Sequence, residues 1–464
     1  MENTVAKKKW SAPHTFVILV LLIIAAIAAT HFIPAGVFDR FKDEATNKTL
    51  VQAGTYHLVD PSPVSFLALP GVIYRAIVDA GDIVAFILVI GGAFEIIMST
   101  GALTQLCKKL SLAFKGKEFL VIPIFLVIFS IFGFTMGMSS EVMIFVPIGI
   151  ALAASLGLDR VTGTAMIAMG AATGFTAGLL NPFNVGVAQA IAEVTPFSGI
   201  GYRAVILVVL LVIDTIYIIW YAKRVKANPA KSIINGIDID DDFTFDDGES
   251  GLSARDMGVL VILVAGFSIL FYGLSKKGWW YEEMAATFLT MGVLSGFVAG
   301  YSPNKIAKTF GTGAKTIVVG ALIVGIARGI EIVMSDAQII DTIVNAIANT
   351  VSYLPHSVQA VGMFLSQSLV NCIITSGSGQ AVVTMPLMVP VSDLLGISRQ
   401  TAVLAFQLGD GFSNSVLPTS SALMGYLVVS KIPYEKWLKF MFPLFMLWTL
   451  AGCVFMLGAV AIGY

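Results

Sequence analysis

The sequence predicts an all-α polytopic membrane protein, and three observations carry that prediction. The chain of 464 residues is 57% hydrophobic and only 12% charged, with a mean hydropathy of +0.87, which is more apolar surface than one aqueous core encloses. Its charges cluster between apolar stretches. Those stretches repeatedly approach the roughly 20 residues that a helix needs to cross a hydrocarbon layer. A formal net charge of −1 offers no basic face to nucleic acid. The three cysteines, Cys107, Cys372 and Cys453, are scattered and form no CxxC or Cys–His ligand pattern, so they read as packing residues.

Lys7, Lys8 and Lys9 precede an apolar run from Phe16 to Ile33. The run is longer than a signal-peptide core and lacks a small-x-small cleavage site, so it is expected to stay as a first span. Full spans are expected at 14–34, 83–100, 161–180, 203–222, 255–274, 283–300, 315–334, 400–416 and 440–463. Two further apolar stretches, 119–156 and 356–396, are interrupted by polar tips, Met136-Gly137-Met138-Ser139-Ser140-Glu141 and Thr375-Ser376-Gly377-Ser378-Gly379-Gln380. Irregular backbone at membrane depth is tolerated only inside protein or beside water, so each stretch reads as a re-entrant hairpin. Residues 223–254, with Asp238, Asp240, Asp241 and Asp242, form a solvated cytoplasmic linker. The loop from Ala35 to Pro63 is similarly polar, and its Asn47-Lys48-Thr49 is a chance glycosylation triplet.

The chain repeats itself. One offset pairs Pro147 with Pro386, Ser139 with Ser378, Gly157 with Gly396, Arg160 with Arg399, Thr162 with Thr401 and Gly170 with Gly409; a slightly shorter one pairs Glu95-Ile96-Ile97-Met98-Ser99 with Glu331-Ile332-Val333-Met334-Ser335. With the N-terminus cytoplasmic, more than twice as many lysines and arginines fall inside as outside. On that topology the first repeat (14–222) starts inside, span 255–274 crosses back as a connector, and the second repeat (283–463) starts outside. The repeats are therefore inverted, each with a hairpin (119–156 and 356–396) and a broken helix (161–194 and 400–430).

Inverted-repeat carriers bind their cargo near the midplane, where interrupted helices expose backbone groups. Here the interruptions are the two hairpin tips and the segments Thr173-Gly174 to Asn184 and Asp410-Gly411 to Ser421. Glycine and proline leave carbonyls unpaired there, so a coupling ion, Na+ or H+, is expected near Asn181 and Asn414 rather than at a dedicated metal cluster. A helix starting at each tip would aim its positive end at a carboxylate, with Ser139, Ser140 and Ser378 alongside. Glu141 and Asp410 add acids suited to an amine, a guanidinium or the ion. An intramembrane carboxylate costs about 2.5–3.5 kcal/mol on insertion scales, so a use for each is expected. Small polar residues also serve plain helix packing, but four such clusters at matched places favour a site. Glu95 and Glu331 suit structural pairing, and Arg328 lies within helical reach of Glu331. Arg160 and Arg399 suit interfacial anchoring, and His14, His31, His57 and His356 form no relay.

The motifs Gly-Met-Ser-Ser-Glu at 137–141, Leu-Asn-Pro-Phe-Asn at 180–184, Ser-Gly-Ser-Gly-Gln at 376–380 and Gly-Asp-Gly-Phe-Ser-Asn at 409–414 resemble those of the C4-dicarboxylate anaerobic carrier family, in particular its YfcC-like branch of arginine/ornithine antiporter-like proteins. The resemblance covers nearly the whole chain. It implies the ion-transporter superfamily architecture: a scaffold domain that forms a homodimer, and a transport domain that carries both hairpins across a bacterial inner membrane in an elevator-like movement. Stretches 101–118 and 336–355 would act as connecting arms. By position, the resemblance implies binding by Ser139, Ser140, Glu141, Asn181 and Asn184, and by Ser378, Gly379, Gln380, Asp410, Asn414 and Thr419. Glu141 stands opposite Gln380 across the repeat, an inequality that suits an asymmetric, charged amino acid. The expectation is an exchanger or ion-coupled carrier of basic amino acids such as arginine and ornithine, with a C4-dicarboxylate:cation carrier as the alternative. A channel suits two closing hairpins less well. No HExxH, GxSxG or GxxxxGK[ST] occurs, so neither an enzyme nor an ATP-driven pump is expected, and no cofactor.

Overall fold

The computed structural model describes residues 15–43, 48–237, 252–277, 279, 281–355 and 358–464. Lys7 to Lys9, His14, Asn47, His356 and the aspartates at 238–242 of the expected linker lie outside the described residues. Apolar runs become helices in the expected order. They are α1 (Thr15–Ala29), α2 (Leu69–Asp79), α3 (Gly81–Ser99), α4 (Ala102–Ala113), α5 (Val121–Met136), α6 (Val146–Ser155), α7 (Arg160–Ala177), α8 (Val187–Ile191), α9 (Ile200–Ala227) and α10 (Ala254–Tyr272). After these come α11 (Tyr281–Val298), α12 (Pro303–Ala327), α13 (Gly329–Asp336), α14 (Ile340–Ser352), α15 (Gln359–Asn371), α16 (Gly377–Leu394), α17 (Arg399–Ser413), α18 (Ser421–Ser430) and α19 (Tyr434–Ala461).

The chain is mostly, but not wholly, helical. In a chain expected to be all-α, the described residues of the polar loop between Ala35 and Pro63 hold four short strands, β1 (Gly36–Val37), β2 (Arg40–Asp43), β3 (Lys48–Val51) and β4 (His57–Leu58), paired antiparallel as β1 with β4 and β2 with β3. Long-range polar contacts hold it down: Arg40 Nη2 donates to both carboxylate oxygens of buried Asp341 at 2.9 and 2.8 Å, and the Phe38 amide donates to Asp341 at 3.0 Å. Nη1 of the same guanidinium donates to the Phe38 carbonyl at 3.2 Å, so one arginine and one aspartate anchor the loop.

Among the described residues, five helical stretches are long and apolar enough to cross a membrane: Gly81–Ser99, Glu118–Thr135, Ile200–Ala227, Pro303–Asp336 and Tyr434–Ala461. On α9, Val205, Val208, Val212, Ile216 and Trp220 are exposed while Ile206, Leu210 and Ile218 are buried, so both faces are apolar. Such a helix is matched to lipid on one side and protein on the other. The expected spans 161–180 and 400–416 are realised differently. Residues 401–413 of α17 are all buried and α7 is nearly so, and both are flanked by other helices. At 18 and 15 residues they reach roughly 27 and 22 Å, and they are enclosed by protein, which is why threonine and glycine can fill them.

The helices gather in two groups. In one, α3 lies along α11 and α12, with α1, α2 and α13 around them. In the other, α5 and α6 pack on α7 beside α9, α15 and α16 pack on α17 beside α19, and α7 crosses α17 between them. The order α4, paired α5 and α6, interrupted α7 and α8, long α9 recurs as α14, paired α15 and α16, interrupted α17 and α18, long α19. Gly157 and Gly396, matched by the sequence offset, both hold left-handed backbone (φ 70° and 66°) just after the second arm of each pair, a conformation that glycine adopts without steric cost.

Candidate functional site

Each tip is built by a different local device. Gly137 ends α5 in left-handed backbone (φ 63°), and the Ser139 amide then donates to Glu141 Oε2 at 2.9 Å. Residues 140–145 form 3-10 turns, and α6 begins only at Val146. This departs from the expected helix starting at the tip. Pro147 has no N–H to give to the carbonyl one turn back and so suits the first turn of α6, which begins one residue before it. In the second pair the expectation holds: Ser376 accepts from the Gly379 amide at 3.2 Å and caps α16, whose first residue is Gly377. Its positive end points into the space between the tips.

That space is a cavity of about 400 Å³ lined by Ser139, Ser140 and Glu141 from the first tip, Ser376, Gly377 and Ser378 from the second, and Asn414, Ser420 and Ser421 from the break between α17 and α18. Tyr281 of α11 and Arg328, between α12 and α13, close it from the other helix group. A neighbouring cavity of about 200 Å³ shares Tyr281, Arg328, Thr375 and Ser421 and adds Asp79, Asp82, Glu331 and Thr419. Arg328 Nε donates to Asp79 Oδ2 at 2.6 Å, and its Nη1 pairs with Glu331, the ion pair expected from their spacing. Asp79, Asp82, Glu141 and Glu331 therefore line the two cavities beside one guanidinium, which pairs with Asp79 and Glu331.

Asp410 does not face the cavity as expected. Helix α17 runs on to Ser413, so Asp410 sits a turn inside it, fully buried, accepting from the Asn184 side-chain amide and from Asn414 Nδ2 at 3.0 Å. Asn371, the last residue of α15, donates to the Asp410 carbonyl at 3.1 Å, to Ser413 Oγ at 2.8 Å and to Asn414 Oδ1 at 3.0 Å. Asn181 is buried beside this cluster and accepts from the Asn184 amide at 3.2 Å. A Cβ added at Gly377 would lie 2.8 Å from Asp410 Oδ2 and 3.3 Å from Asn184 Nδ2, so the second tip rests directly on the cluster. Asn184, Asn371, Asn414 and Asp410 thus tie the segments that follow α7 and α17 to the end of α15.

Gln380, the repeat counterpart of Glu141 and an expected binding residue, does not line the tip cavity. It lies on the face of α16 turned to α15, fully buried, and donates to the Gln367 carbonyl at 2.9 Å and to Gln367 Oε1 at 2.7 Å. Gly379 lines a separate cavity beside Glu331. Thr419 stays at the site's edge, accepting through its carbonyl from Thr375 Oγ1 at 3.4 Å. The expected break at Thr173-Gly174 is absent, because α7 continues to Ala177; Thr173 instead donates to Asp214 of α9, which also accepts from Trp448 Nε1 at 2.8 Å. Sequence reasoning missed Tyr281, Asp79, Asp82 and Asn371 as site residues and gave Arg328 only an ion pair. A charge inside an apolar span was the readable signal for Arg328.

The chain matches the C4-dicarboxylate anaerobic carrier (DcuC) family over residues 12–461. It is 34% identical over 501 residues to an Escherichia coli (strain K12) protein named "Putative basic amino acid antiporter YfcC", covering 98% of each chain. A Haemophilus influenzae (strain ATCC 51907 / DSM 11121 / KW20 / Rd) protein is 28% identical over 515 residues, covering 99% of this chain and 98% of the other. Among solved structures, the Alcanivorax borkumensis YdaH transporter aligns with 97% of this chain and 99% of its own at 14% identity and a TM-score of 0.44. Neisseria gonorrhoeae MtrF aligns over 97% and 96% at 17% identity and a TM-score of 0.41. On its match along nearly the whole chain and its full-length identity to YfcC, the protein belongs to the C4-dicarboxylate anaerobic carrier family of membrane transporters.

Proposed function

We propose that this carrier exchanges basic amino acids, arginine and ornithine by class, across the bacterial inner membrane, with its N-terminus in the cytoplasm. The observation that carries the reading is the charge around the joined cavities: Asp79, Asp82, Glu141 and Glu331 against Arg328 alone, with serines and the start of α16 beside them. An α-carboxylate needs one anion-binding place, which a helix start and hydroxyls supply. The α-amine and the side-chain cation need acids, and the site has more acids than Arg328 neutralises. The name of the Escherichia coli relative points the same way. No cofactor enters this scheme.

The two helix groups and the recurring element order support two inverted repeats, 14–222 and 283–463, joined by the linker 223–254 and connecting span 255–274. On this reading α1 to α3 and α11 to α13 belong to a scaffold that dimerises, and the hairpins with their broken helices move as one transport body, as in an elevator. The Asp410 cluster with Asn181, Asn184 and Asn414 is the place for a coupling Na+ or H+, behind the substrate rather than against it.

Arg328 and the family's description favour a second reading, a C4-dicarboxylate:cation carrier in which the acids serve the ion. Counterflow separates the two. Proteoliposomes preloaded with arginine, ornithine or succinate are given each labelled compound, with and without a sodium gradient. Arginine uptake that requires internal arginine or ornithine is expected. Gradient-driven succinate uptake with arginine inert would replace the first reading by the second.

A further inference from the structure

Glu95 on α3 is followed one turn later by Ser99, and Glu331 on α13 by Ser335; the two segments match in the sequence repeat. Residues four apart share a helix face. Each pair lines its own cavity. Glu95 and Ser99 face Pro147 and Ile150 of α6 across about 360 Å³. Glu331 and Ser335 face Val382 and Val383 of α16 across about 440 Å³. The same acid-and-hydroxyl motif thus looks onto the second arm of one hairpin in one cavity and of the other hairpin in the other. Glu331 also lines the cavity next to the tip cavity, whereas the Glu95 cavity lies behind the first hairpin.

We propose that Glu95 and Glu331 are alternate stations for the cationic substrate, one serving each face of the membrane. This rests on the basic amino-acid reading above. In the present structure the tip cavity adjoins the one that Glu331 lines, and a slide of the transport body along α3 and α12 would bring the Glu95 station into line. Electrostatics defines what Glu95 does there. Its cavity also holds Arg160 and Lys431, and without the carboxylate these two cations would repel an arriving arginine. At the other station Asp341 is engaged by Arg40 and Glu331 by Arg328, so an arriving cation competes with Arg328 for the Glu331 carboxylate.

The test compares right-side-out with inside-out membrane vesicles. Glu95→Gln is expected to raise the half-saturating arginine concentration about tenfold at one face and leave the other unchanged. Glu331→Gln is expected to do the reverse. Equal changes at both faces, or none, would overturn the proposal. Glu95→Cys and Glu331→Cys, each in a chain with Cys107, Cys372 and Cys453 replaced by serine, give a readout free of substrate: an impermeant thiol reagent should label them from opposite faces. Labelling from the same face overturns the two-station arrangement whatever the cargo. Opposite labelling with a wild-type carrier inert to arginine overturns instead the substrate reading on which the charge effect depends.

Discussion

Glu141 and Asp410 are the acids that sequence reasoning places together, and their surroundings separate their roles. Glu141 lines the tip cavity and accepts from a backbone amide two residues away. Glu141→Gln should therefore leave the thermal midpoint of the purified carrier nearly unchanged while weakening arginine exchange about ten- to a hundredfold, the worth of one hydrogen bond to a charged group. Succinate uptake, if present, should be little affected. Asp410 accepts from two asparagine amides in a fully buried place. Asp410→Asn turns one acceptor into a donor facing a donor, a loss of about 1–3 kcal/mol, so its midpoint should fall. A thermal-shift assay beside counterflow checks both, and equal midpoints for the two variants would refute the separation. The acids themselves are readable as charges in apolar runs. Their burial is not, because it depends on whether α17 continues past residue 410.

At the scale of elements, glycine is where sequence reasoning is ambiguous. Gly137 and Gly178 end α5 and α7 in left-handed backbone, as a break requires. Gly174 and Gly411 look like breaks too, yet both lie inside intact helices: a Cβ at Gly174 would collide with the Ser130 carbonyl of α5, and one at Gly411 with Thr176. A glycine that lets the chain turn and one that lets helices touch leave the same letter in the sequence. Gly174→Val should destabilise the carrier by about 1–3 kcal/mol or more, since backbone cannot yield as a side chain does. Gly311→Ala, on α12 with open space around its Cβ, should be neutral or slightly stabilising. Detergent melting curves decide the matter, and a tolerated Gly174→Val would mean that α5 and α7 are not held this closely. The polar tips are more legible as interruptions: Gly137 does end α5, and Ser376 does cap the start of α16. The four strands at 36–58 are hidden, since what orders them is a contact with Asp341, about 300 residues away.

For the whole molecule, the apolar blocks are legible because composition survives without any tertiary contact, while the division into two helix groups emerges only from packing. That division makes a mechanical claim. If the hairpin group slides against the α3 and α12 group, a tether between them must stop exchange without touching the site. Thr316 on α12 and Val429 on α18 line the same cavity of about 360 Å³, one from each group, and neither lines the tip cavity. Thr316→Cys with Val429→Cys, in the chain freed of its own cysteines, can be joined by a thiol-cleavable reagent. Arginine counterflow should disappear on joining and return on reduction, whereas reagent bound to either single variant should leave most of it. Exchange that persists in the joined protein would mean that substrate crosses by movement of the tips alone, with α12 and α18 fixed relative to each other. In that case the matched acids Glu95 and Glu331 would be reached through a stationary body, and the cavity behind the first hairpin would be a permanent vestibule rather than the space into which the transport body moves.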